Sequence, residues 1–119
     1  MKEISSGVAF WILEAWRKMN AQLHLVALRN AQPSSWPAKV WHTSPTDSSV
    51  WMVRLLDDGQ NTEWMISLEG AKFSFGVEGE LTPFHELTEG VFVSVLLVEL
   101  PTGAKFIFGE QFFEDEESE

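Results

Sequence analysis

The hydrophobic period of this chain changes once, and that change constrains the fold more than any other feature. Up to Asn20 the apolar residues recur at helical spacing; beyond it they alternate, in β-branched and aromatic runs parted by turn residues. A single helix followed only by strands predicts an α+β fold.

Residues 5–20 read as the helix. At 100° per residue, Val8, Trp11, Ile12, Ala15, Trp16 and Met19 form one continuous arc, expected to lie on the sheet. Glu14, Arg17 and Lys18 fall opposite, with Glu14–Lys18 a favourable i,i+4 pair. Ser5 or Ser6 supplies the N-cap oxygen. Phe10 falls on the polar side, and the arc leaves it unexplained.

The strand-like runs are 22–28, 38–43, 50–56, 62–68, 71–77, 91–100 and 104–108. Asp57-Asp58-Gly59, Gly70 and Pro101-Thr102-Gly103 supply turns, and connections this short imply antiparallel hairpins. Alternation groups Trp51 with Val53 and Leu55, Trp64 with Ile66 and Leu68, Phe73 with Phe75 and Val77, and Phe106 with Phe108 on an apolar face. Arg54, Glu63, Ser67, Lys72 and Ser74 fall between them, on a mostly wet face. The 91–100 run is apolar at nearly every position and is expected to be central or covered on both sides. The expected architecture is an N-terminal amphipathic helix packed on a curved, mostly antiparallel sheet of six or seven strands, with closure toward a half-open barrel undecided. Residues 1–113 form a single domain in this reading, and the acid-rich segment 114–119 a disordered tail. Longer connections are expected over 30–37 and over 78–90, the second with a helical turn starting at Thr82-Pro83.

Several chemistries are excluded by composition. There is no Cys, so disulfides, thiolate metal sites and cysteine nucleophiles are impossible. The apolar run from Val8 to Leu13 is too short to span a membrane and is followed by no clean signal-cleavage site, so a cytoplasmic protein is expected. Residues 1–54 carry a balance of +3 and residues 55–119 a balance of −13, within a net charge of −10. That balance argues against nucleic acid or an anionic membrane as partner.

No spacing in the chain matches an established catalytic or metal site. Glu80, His85, Glu86 and Glu89 gather in the second long connection without a metal-binding register, and Asp57-Asp58 is explained by turn chemistry. Neither a nucleophile elbow nor a phosphate-binding glycine loop is present. No catalytic residue, metal or cofactor is therefore expected. The tryptophans are the most unusual feature: five of the six lie in the basic first half, interleaved with cations. Trp11, Trp16, Trp51 and Trp64 sit at core phases of their elements, whereas Trp36 and Trp41 do not. Together with Arg29, Lys39 and His42 these two form the candidate ligand- or partner-binding surface. His24, alternating with Leu23 and Leu25, reads as a hydrogen-bonded sheet residue. The functional expectation is a non-enzymatic protein-interaction module that binds another protein or a second copy of itself. The alternative is a small-ligand-binding or enzyme domain with an apolar pocket between helix and curved sheet.

Overall fold

A computed structural model describes residues 2–29, 32–54, 62–77 and 92–111. The chain runs β1 (Lys2–Ile4), α1 (Ser6–Lys18), β2 (Leu23–Arg29), β3 (Gln32–Ser44), a 3-10 turn (Pro45–Asp47), β4 (Ser49–Arg54), β5 (Thr62–Ser67), β6 (Lys72–Val77), β7 (Phe92–Glu99) and β8 (Lys105–Gln111). The eight strands form one antiparallel sheet in the order β1-β6-β7-β8-β2-β3-β4-β5. Hairpin-linked runs β2–β5 and β6–β8 join through the pairing of β2 with β8, and the sheet does not close, leaving β5 and β1 as its edges. The expected α+β architecture is present. The strand that periodicity missed is β1, whose three residues are too few to show alternation. Among the described residues no helix is long and apolar enough to cross a membrane.

Local chemistry defines both ends of α1. Ser5 Oγ accepts from the Val8 N–H at 3.2 Å, and Arg17 and Lys18 occupy the last turn, where cations favour the helix dipole. Asn20 takes a left-handed conformation at φ 54°. The N–H groups of Ala21 and Asn20 then donate to Trp16 and Arg17 at 2.9 and 3.1 Å, satisfying carbonyls the helix leaves orphaned.

The helix lies against β3, with lesser contact to β6. Its buried residues are Ala9, Phe10, Leu13 and Trp16, so the face that meets the sheet is not the predicted arc. Trp11 is 73% exposed, and Val8 and Met19 are exposed as well. Residues 8–13 are all apolar, so the helix is greasy nearly all round and period alone cannot choose its inner side. Phe10 is the residue that decides it. The expected Glu14–Lys18 pair is replaced by Glu14–Arg17, with Arg17 Nε donating to Glu14 Oε1 at 2.9 Å and Nη2 adding a second bond.

The inner face of the sheet carries the main core: Leu25, Val40, Val50, Met52, Ile66, Phe73, Leu96 and Phe108 pack with the helix. A second apolar cluster (Val26, Val95, Leu97 and Ile107) is buried on the outer face of the central strands β2, β7 and β8. The sheet therefore has no uniformly wet side. As expected, β7 is central, lying between β6 and β8 with both of its faces buried.

Two local expectations are overturned. Residues 32–37 are strand, not loop: β3 starts at Gln32, and Trp36 pairs with Leu25 of β2. Pro33 and Pro37 are tolerated there because the pairing of β3 with β4 starts only at Ala38, so among the described residues the missing N–H groups face no ladder. On β4 the core residues are Val50 and Met52, while Trp51 and Val53 point outward. Both alternations of β4 are apolar, so its orientation is set by register, with Val50 opposite Ile66 and Met52 opposite Trp64. Residues 55–61, 78–91 and 112–119, with their acidic clusters, turn and tail, lie outside the described residues.

Candidate functional site

A β-bulge builds the most conspicuous surface feature. The register of β3 against β4 slips between Val40, which faces Met52, and His42, which faces Trp51. The extra residue is Trp41. A bulge places two successive side chains on one side of the sheet, here the outer side. Trp41 is 56% exposed, and its ring stands edge-on to Trp51 at 6.5 Å and to His42 at 6.0 Å. Across the next ladder Trp51 faces Met65, which is 49% exposed. Trp41, Trp51 and Met65 thus form a continuous apolar strip over the outer side of β3, β4 and β5. Such a contiguous strip on a small protein marks a contact surface more often than a scattered residue does.

The bulge also returns Thr43 to the helix side, where Thr43 Oγ1 donates to Glu14 Oε2 at 2.7 Å. Simple alternation along 38–43 would set Trp41 and Thr43 on one face; the bulge separates them. Hydrogen bonds from Arg17 and Thr43 lower the Glu14 pKa to about 2. This carboxylate lies beside a groove of about 470 Å³ lined by Gly7, Phe10, Trp11, Thr43, Pro45 and Ser48. Both its oxygens are engaged, which makes it a strut between helix and hairpin.

A third feature is an apolar cleft of about 500 Å³ between β5 and the β7–β8 turn. Trp36, Trp64, Ile66, Leu100 and Phe106 line it, with Trp36 and Trp64 packed edge-on at 5.7 Å. Among the described residues no three His, Asp or Glu side chains converge as a metal site.

The five candidate residues are divided by the fold. Lys39, Trp41 and His42 fall on the outer side of β3, with Lys39 opposite Val53. Trp36 turns to the inner side and into the cleft. Arg29 ends β2, paired with Gln32, and its side chain lies outside those described. His24 sits on β2 between Pro37 and Gly109, and burial lowers its pKa. Of the four tryptophans expected in the core, Trp16 is buried and Trp64 packs against the core, but Trp11 and Trp51 are exposed. The residues that sequence reasoning missed are Trp51 and Met65. Met65 alternates with Trp64 and Ile66, so its outward phase was readable in the sequence; the outward phase of Trp51 was not.

The chain matches no family model, no curated protein and no solved structure. What the surface can do rests on its geometry.

Proposed function

We propose that this protein is a non-enzymatic interaction module that docks a protein partner on the outer side of β3, β4 and β5. The observation that carries this reading is the strip Trp41–Trp51–Met65, exposed and contiguous next to the edge strand β5. Aromatic residues and Met are the side chains that interface centres favour, because they bury large area for little lost rotamer freedom. The exposed helix stripe of Val8, Trp11 and Met19 is also apolar, but the edge strand that precedes it, β1, has only three residues with which to fix a partner's register. In this reading the protein is cytoplasmic, and its net charge of −10 disfavours nucleic acid and anionic membranes as partners. The test is a W41S/W51S variant, compared with wild type by sedimentation and by capture from native lysate at low and high salt. Loss of association with unchanged melting temperature supports the reading; association that persists in the variant contradicts it.

The cleft supports a second reading, a small apolar ligand held between Trp36, Trp64 and Phe106. Trp36 and Trp64 make this directly testable. A bound ligand would change tryptophan emission in wild type and in W41S/W51S alike, because neither cleft residue is altered. An unchanged spectrum with a panel of apolar and aromatic probes counts against it.

A further inference from the structure

We propose that β5 is completed by a second copy of this chain, paired antiparallel about a two-fold axis at Met65. The inference rests on the interaction role proposed above and names the partner. It starts from which backbone groups of β5 point outward. Leu68 N–H donates to Ser48 O, so Leu68 directs its backbone groups at β4. By alternation Ile66 and Trp64 do the same, opposite Val50 and Met52. The N–H and C=O groups of Glu63, Met65 and Ser67 therefore point away from β4, and among the described residues no strand pairs with them; Met65 and Ser67 line the cleft that separates β5 from the start of β8.

Symmetry then selects the register. Two copies related by an axis normal to the sheet keep inner residues beside inner residues, so the axis passes through a residue and not between two. An axis at Met65 sets Glu63 opposite Ser67 of the second copy and Met65 opposite its counterpart, so every outward group within 63–67 meets a partner. An axis at Trp64 would leave the outward groups of Ser67 without a partner inside the strand. The Met65 register also joins the two outer strips end to end, from Trp41 and Trp51 of one copy through both methionines to the same residues of the other.

Charge agrees with this arrangement. The described charged groups on the outer side near β5 are Lys39 and Glu63, of opposite sign, with Glu69 in the turn beyond. No like charges are opposed, since Glu63 faces a serine. The other edge, β1, has three residues, two of them Lys2 and Glu3, and is protected as short charged edges are. By contrast, β5 has six residues with no Pro, Lys or bulge. Pairing β5 with β5 leaves no second long edge to propagate from, so assembly stops at two. In this register only the two Met65 side chains, each about half exposed, meet across the axis, while Trp41 and Trp51 stay in water; backbone pairing over 63–67 supplies the rest, which fits a weak dimer and not a permanent one.

Sedimentation velocity of the full chain between about 1 and about 200 µM tests this. Wild type is expected to pass from monomer to dimer across that range. M65K sets two cations at the axis and is expected to weaken the dimer at least about 10-fold, whereas S67K sets a cation opposite Glu63 and tightens it about 3-fold. Both positions are exposed, so melting temperatures near wild type are expected and exclude unfolding as the cause. Wild type that stays monomeric throughout, or a dimer indifferent to M65K, overturns the proposal. If wild type is monomeric but W41S/W51S still abolishes capture of a lysate partner, the second copy is excluded and the interaction role stands; if neither association is seen, both fall.

Discussion

On β4, adjacent residues live in different surroundings. Val50 and Met52 are 0% exposed, sealed between the helix and the inner sides of β3 and β5, while Trp51 lies on the outer side with about a third of its surface in water. Residues 50–53 are all apolar, so hydrophobicity does not separate the two sides. What separates them is cover: the inner side of β4 has a helix near it, whereas among the described residues the outer side of β3, β4 and β5 carries only its own aromatic strip. The same contrast runs along α1, where Phe10 and Leu13 are buried and Trp11 between them is exposed. An apolar residue placed where nothing covers it adds little to stability and is available for contact.

Substitutions on β4 can break that contrast. M52A should cost about 2–5 kcal/mol in urea unfolding, because it removes buried methylenes and leaves a cavity in a core that collapses only partly. A loss under about 1 kcal/mol would mean the inner side is not the core. G70A sharpens the comparison by separating backbone strain from burial. Gly70 has φ 73°, and a Cβ there would approach Pro101 Cγ at 3.0 Å, so a cost of about 1–2 kcal/mol is expected without loss of core volume.

The strut between helix and β3 gives a smaller, pH-dependent effect. Glu14 titrates at about 2 in the fold against an ordinary value of 4.5, so its contribution is fully present above pH 4.5 and lost as pH falls toward about 2. Part of its surface is in water, which screens the effect. Acid titration of thermal stability should show a shallower fall in E14Q than in wild type between those limits; parallel curves would contradict the strut. His24, with its pKa lowered by burial, adds a loss that begins as pH drops below 6.5. Smallest of all, W51A should cost about 1 kcal/mol, because the side chain packs partly against Trp41 but fills no sealed core. A cost comparable to that of M52A would show that the outer strip is covered.

Much of the fold was legible in the sequence because it rests on period and turn chemistry. Pro101 and Gly103 announce the β7–β8 turn, in which Gly103 adopts φ 93° and its N–H donates to Leu100 O at 2.9 Å. The unbroken apolarity of β7 announces a central strand. Sequence reasoning failed where a segment is apolar in every phase, as in residues 8–13 and 50–53, because orientation is then decided by register and by partners distant in the chain. It failed at Trp36 because prolines on both sides look like a loop, and only the ladder shows that among the described residues β4 does not reach them. The bulge at Trp41 is likewise set by pairing, so no local pattern reveals that Trp41 and Thr43 part company. The candidate surface was half visible: Lys39, Trp41 and His42 share the outer side, while Trp51 and Met65 join them only through the ladder.

Amide hydrogen exchange along β5, measured at about 2 and about 200 µM protein, tests most directly whether the outer strip and its strand edge form a contact surface completed by a second copy. The amides of Trp64 and Ile66, bonded to β4, should exchange slowly at both concentrations. Those of Glu63, Met65 and Ser67 should exchange fast in the dilute sample and become protected in the concentrated one. Fast exchange at these three positions, unchanged between the two concentrations, would contradict the account.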